Sequence, residues 1–223
     1  MINLFNAVFY QPILSVLIFI YNNLAFRDLG LAIIFLTILV RIVLFPLFYK
    51  GAKDQALIQR LQPHIKKIQL DHKDDKAKQA QELMALYKEH RFNPFSGVFL
   101  LILQLPVFIA LFQIFTKELK TPTFDNHYFL SLINLEQKSL ILVVLVALLQ
   151  YWQGKLSLPP KTKDKKPAGG PLASSLGMMV YIGPAFTFLV LSNLPSALAL
   201  YWGISTVFSV GQQIYINKRA GKT

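Results

Sequence analysis

The sequence predicts an all-α integral membrane protein. It would have five transmembrane helices, an N-terminal interfacial amphipathic helix and a cytoplasmic helical hairpin. Three observations carry that prediction. Five long runs are apolar, at 29–49, 95–116, 139–156, 176–192 and 195–216. Of the 223 residues 54% are hydrophobic, and the mean hydropathy is +0.45, too apolar for an ordinary soluble domain. The basic residues gather in alternate loops, as the positive-inside rule requires of a multi-span protein.

Residues 1–28 admit two readings. They carry no charge before Arg27, so they lack the basic start of a signal peptide. Pro12 interrupts them, and Asn3, Asn6, Gln11, Ser15, Asn22 and Asn23 are scattered through them. A helix lying in the outer interface fits this better than a span. The five runs that follow can each cross a core of about 30 Å at 1.5 Å per residue, 139–156 and 176–192 only just. Asn193-Leu194-Pro195 is the whole connection between the last two, which predicts a tight antiparallel pair.

Residues 50–92 are polar, with helical periodicity. Leu57, Leu61, Ile65 and Ile68 form one stripe, and Ala77, Ala80, Met84 and Tyr87 form another. Asp74 and Asp75 suit the start of the second helix, and Pro63 predicts a kink in the first. A connector this long exceeds what a crossing needs. It reads as a docking platform for another protein, against the plainer reading of a solvated connector. The loop 157–175 begins SLPPKTKDKKPAGGP, the composition of a flexible linker, and 217–223 is a short basic tail. Segments 50–92 and 155–175 and the tail hold most of the lysine and arginine. The prediction is therefore N-terminus outside, 50–92 and 157–175 inside, 117–138 outside, and C-terminus inside.

Several function classes fall away. No GxxxxGK[ST] loop is present. His64, His72, His90 and His127 are dispersed, so neither metal nor cofactor is implied. No nucleophile signature appears, so no catalytic residue is assigned and an enzyme is not expected. There is no cysteine. None of the eleven acids lies within an apolar run, which excludes an aspartate-type intramembrane protease or a carboxylate proton relay. The net charge of +12 is explained first by orientation, with contact to anionic lipid or RNA left open.

One residue stands against its surroundings. In FLTILVRIVLFPLF, Arg41 sits among lipid-compatible residues, at a cost of about 2.5–3.5 kcal/mol on insertion scales. Its own chain offers no intramembrane carboxylate. The remaining partners are water, polar side chains, freed carbonyls or a group on another molecule. Thr37 lies one turn earlier on the same face. Pro46 cannot donate to the carbonyl of Ile42, and Pro106 cannot donate to that of Ile102, near Gln104. Kinked helices with inward amides hold a wet cavity, and Arg41 is about 12 Å from the cytoplasmic end of its run. The plainer readings are a snorkelling arginine, a helix–helix hydrogen bond for Gln104, and an interface belt or packing for Tyr201 and Trp202.

These residues resemble the YidC/Oxa1/Alb3 family of membrane protein insertases. The likeness is carried by VRIVLFPL, KGAKDQALIQRLQPHIKKIQ, DDKAKQAQELMALYKEHRFNPFSG, LQLPVFIALF and LPSALALYWGIS, in that order, over about 10–216. The resemblance implies a five-helix core, an outer-face amphipathic helix before it and a hydrophilic groove open to cytoplasm and lipid. Arg41 and Gln104 match groove positions. Thr37, Phe108 and Trp202 match substrate-contacting positions, although many relatives have tyrosine in place of Trp202, and Tyr201 beside it is assigned to the same groove. It further implies nascent membrane proteins and the lipid bilayer as partners, with ribosome, Sec translocon and targeting-particle components as further candidates, and a location in the bacterial cytoplasmic membrane. Gram-negative relatives carry an extra first span and a large periplasmic domain, and many Gram-positive ones a lipoprotein signal. None of these is found in the 223 residues. The expected function is insertion of client helices without covalent chemistry. Its rivals are a small-anion channel or transporter built on Arg41 and a passive assembly scaffold.

Overall fold

A computed structural model of the chain describes residues 2–90, 96–158 and 171–220. Its N-terminus is one continuous rod: α1 (Ile2–Phe5), a π-helical segment (Asn6–Tyr10) and α2 (Gln11–Asn23). The wider π turn precedes Pro12, which has no N–H to give the α ladder. Gln11 N–H reaches back to the carbonyl of Asn6. The rod buries Tyr10, Leu17, Ile20 and Tyr21 and exposes Leu4, Val8 and Phe19. The Tyr10 hydroxyl donates to Glu118 Oε1 at 2.7 Å, tying the rod to the chain after α6.

The run 29–49 is two helices. α3 (Leu29–Val43) ends at Leu44, and α4 (Phe45–Asp71) leaves at 69° to it. Pro46 explains the break. It falls in the first turn of α4, where its missing N–H is not needed, whereas inside one long helix it would remove a bond. Leu44 N–H donates to the carbonyl of Val40 at 3.0 Å, closing the last turn of α3. α4 then runs unbroken through Pro63 into the segment read as the hairpin. Asp75 caps α5 (Lys76–Glu89), accepting from Lys78 N–H at 2.9 Å. Gln79 Nε2 donates to the Gln69 carbonyl across the turn.

α6 (Ser96–Lys117) ends in a 3₁₀ turn (Glu118–Lys120). A small ribbon follows, with β1 (Tyr128–Phe129) antiparallel to β2 (Ile133–Asn134). Leu130 and Ser131 make its turn at φ 49° and 58°, the type I′ geometry that L side chains resist. Asp28 holds that turn. Its Oδ2 accepts from Leu130 N–H at 2.6 Å while Oδ1 caps α3 through Leu31 N–H at 2.9 Å. Gly30 lets the two pieces meet, since a Cβ there would fall 2.1 Å from the Phe129 ring.

α7 (Leu140–Leu156) is capped by Ser139, α8 covers Pro171–Leu191, and α9 covers Ser196–Ala220. The start of α9 is bound to the same loop: Ser196 N–H donates to the Gln137 carbonyl and Ala197 N–H to that of Leu135. Those are orphan donors of a helix N-terminus. α9 packs on α7, α3, α4 and α6, while α8 leans mainly on α7. The linker residues 159–170 lie outside the described residues.

Among the described residues, Ile102–Lys120 is long and apolar enough to cross a membrane alone. The bent pair Leu29–Val43 and Phe45–Ile58 qualifies as one broken span, and Leu140–Leu156 and Val180–Leu191 are shorter apolar helices.

The double role of Asp28 is testable. Asp28→Ala removes a helix cap and frees a strained turn, and should cost about 2–3 kcal/mol. Ser131→Gly should instead stabilise by up to ~1 kcal/mol by removing a side chain from a positive-φ position. Denaturant unfolding in micelles measures both. A neutral Asp28→Ala would show that Asp28 does not hold the ribbon turn to the start of α3.

Candidate functional site

Buried residues are sorted along the bundle. At the end bound to the 118–138 loop the interior is apolar: Leu29, Ile33 and Leu36 of α3, Leu111, Ile114 and Phe115 of α6, and Ala197 to Leu200 of α9, with Phe124 and Leu135 from the loop. Further along α3 come Thr37 and Arg41. Further along α9 come Ser205, Thr206, Gln212 and Gln213, all buried. α6 runs the other way and carries Gln104 toward that same polar zone. α3 and α9 begin side by side, because Asp28 and Ser196 are both bound to the loop. Their polar residues therefore collect at one end.

Arg41 lies in the last turn of α3 and is only 8% exposed. Among the described residues it makes no ion pair. Its guanidinium carbon stands 4.4 Å from the centroid of the Phe48 ring and 6.0 Å from that of Phe208. Tyr201 is within electrostatic reach. Two features of the fold thus favour the charge. The C-terminal end of α3 presents its negative pole, and aromatic faces attract a guanidinium. Both follow from the break at Leu44. It ends α3 two residues past Arg41 and brings α4, with Phe48, back toward it.

Gln104 Nε2 donates to the Tyr201 hydroxyl, joining α6 to α9. One turn along α6, Phe108 meets Trp202, the residue after Tyr201, edge to face, with ring centroids 5.4 Å apart at 89°. The structure therefore pairs four of the six sequence-predicted residues as Gln104–Tyr201 and Phe108–Trp202. Thr37 shares the face of Arg41 and is fully buried. Its hydroxyl donates to the Ile33 carbonyl at 2.6 Å, so its proton is committed within α3.

Sequence reasoning did not single out Phe48, Phe208, Ser205 or Gln212. A signal existed, since Tyr201, Ser205, Phe208 and Gln212 recur at helical spacing on one face of α9. Ser205 Oγ and Gln212 Nε2 are buried and make no well-aligned hydrogen bond among the described residues, Ser205 facing the Tyr201 hydroxyl. Such atoms are satisfied by water or by an incoming polar group. Asp54 lies in Phe45–Ile58, and its Oδ2 is buried and unpartnered among the described residues. No cluster of metal-ligating side chains occurs among them.

Fold and site together define a class: a helical membrane protein with an apolar, loop-sealed end and a buried cation in a polar end. Comparison with known proteins gives the family. Residues 19–223 match the family described as 60Kd inner membrane protein. The chain is 35% identical over 214 residues to the membrane protein insertase YidC of Syntrophus aciditrophicus, covering 94% of this chain and 36% of that protein. It is 36% identical over 211 residues to YidC 2 of Listeria innocua, covering 88% and 67% respectively. With YidC of Nitratidesulfovibrio vulgaris it shares 32% over 218 residues, 94% and 38%. This chain belongs to that family, the YidC/Oxa1/Alb3 membrane protein insertases. It spans between about a third and two thirds of the length of these relatives.

The aromatic seat of Arg41 can be tested directly. Phe48→Leu removes the nearer ring, a contact of about 0.5–2 kcal/mol. Reaction of Arg41 with phenylglyoxal, followed by peptide mass spectrometry, should then speed up several-fold, while Phe48→Trp should keep it slow. Equal rates in all three proteins would show that the ring does not hold the guanidinium.

Proposed function

We propose that this chain is a membrane protein insertase of the bacterial cytoplasmic membrane, acting on nascent membrane proteins without covalent chemistry. The observation that carries the reading is the sorting of buried polarity, with a dry end under the loop and Arg41, Gln104 and the polar α9 face beyond it. In this reading α3 with the start of α4, then α6, α7, α8 and α9, are five spans, and the rod 2–23 lies along the outer face. The loop 118–138 closes the outer end. The polar end opens toward the cytoplasm, with the α4–α5 hairpin beside it as a platform for incoming chains. The lysine and arginine distribution supports this orientation.

The mechanism follows from the physical chemistry. A short polar tail entering a partly hydrated groove gives up less solvation than one entering lipid. Arg41, of lower effective dielectric surroundings than bulk water, attracts a passing carboxylate more strongly than a surface arginine does. Its aromatic neighbours engage the face of the guanidinium and leave its N–H edge to the client. Phe108 and Trp202 offer an apolar, polarisable surface to the following client helix. That helix leaves sideways into lipid, where burial of its apolar surface drives insertion.

Charge reading by Arg41 predicts a pattern across clients. Arg41→Lys should retain much of the activity. Arg41→Ala should lose it mainly for clients with an acidic tail, and Arg41→Glu more so. The measurement is insertion of paired clients differing by one tail Asp→Asn change, at matched expression. Equal losses for both tails would reduce Arg41 to hydration or folding of the groove, and no loss would make it a bystander.

A further inference from the structure

A second feature lies on the opposite side of α7, away from Arg41. Val144, Ala147 and Leu148 of α7 and Pro184, Ala185 and Phe188 of α8 line a shallow, almost wholly apolar groove of about 280 Å³. The small side chains at Ala147, Pro184 and Ala185 leave this space between the helices. Toward the C-terminal end of α7 the gap closes, where Gly154 packs against Val180 with only 3.3 Å for a Cβ.

That end is also where the chemistry changes. Tyr151 and Tyr181 both line the groove, with ring centroids 5.8 Å apart. Lys155 Nζ stands 4.6 Å from the Tyr151 ring centroid, and no carboxylate pairs with it among the described residues. From Val144 to Lys155 the helix rises about 16 Å, close to half of a hydrocarbon core of about 30 Å. The groove itself follows α7 from Val144 to Tyr151, about 10 Å, is apolar along that length, and is followed by two phenols and, one turn further, an ammonium.

We propose that this groove is a binding site for one anionic phospholipid, an acyl chain lying between α7 and α8 and the phosphate at Lys155, Tyr151 and Tyr181. A client helix is a poorer fit, because it would span both leaflets and bring no anion to Lys155. The proposal rests on reading α7 and α8 as membrane spans and is independent of the insertase reading.

Trp152 reports on the site. It is half exposed and lies one turn beyond Leu148 on the same face. The chain has two tryptophans, so Trp202→Phe leaves Trp152 as the only indole. In phosphatidylcholine vesicles of that protein, dibrominated phosphatidylglycerol should quench Trp152 with about fivefold higher apparent affinity than dibrominated phosphatidylcholine. Lys155→Gln should bring the two lipids to parity, and Lys155→Arg should keep the preference. Equal quenching by both lipids in the unmodified site overturns the proposal. So does relief of quenching by a single-span client peptide without any lipid preference, which would give the groove to the client. Either result leaves the Arg41 reading standing, since insertion is not part of the measurement.

Discussion

The structure is organised around one expensive residue, the buried guanidinium of Arg41. Insertion scales put such a cation at about 2.5–3.5 kcal/mol, and no carboxylate is ion-paired with it among the described residues. The helix terminus supplies up to ~2 kcal/mol in a partly buried setting. The nearer ring adds about 0.5–2 kcal/mol, with a smaller share from Phe208 at 6.0 Å. These offsets match the cost to within a few kcal/mol. The charge is thus held without being neutralised. A carboxylate fixed beside it would occupy the N–H groups that the proposed function leaves to a client.

The opposite end of the bundle serves the same arrangement. Asp28 joins the start of α3 to the ribbon turn, Ser196 joins the start of α9 to the loop, and Tyr10 joins the N-terminal rod to Glu118. Polar bonds lie at the rim, and the interior beneath them is filled by Tyr21, Phe115, Phe124 and their neighbours. Tyr21 and Phe124 meet edge to face at 5.1 Å. A sealed end and a polar end make the site one-sided. In the proposed function, that asymmetry lets a tail enter without opening a path for ions through the bilayer.

Much of this was legible in the sequence, and the rest was hidden for identifiable reasons. Long apolar runs and isolated polar residues inside them are strong one-dimensional signals, so the helices and the residues Arg41 and Gln104 stood out. The partner of Gln104 was not readable, because Tyr201 is 97 residues away. Pro46 was seen, but a proline near an arginine is compatible with a kink or with the first turn of a new helix. Only the tertiary path of α4 decides, and it brings Phe48 to Arg41. The ribbon turn was missed because Leu130 and Ser131 are poor residues for positive φ, held there by a carboxylate 102 residues distant. Thr37 sits where the sequence placed it, yet its hydroxyl bonds back into its own helix, a choice that spacing alone does not reveal.

The central claim is that the polar end around Arg41 is reached by water from one side of the membrane and sealed from the other. The chain has no cysteine, so single cysteines at Ser205 and Gln212 on the polar face of α9, and at Ile33 in the dry end, can be labelled without background. In right-side-out and inside-out vesicles, a membrane-impermeant maleimide should modify the first two from the cytoplasmic face alone and leave the third untouched from either face. Failure of Ser205 and Gln212 positions to react from either side, or reaction from the outer face, would contradict the account.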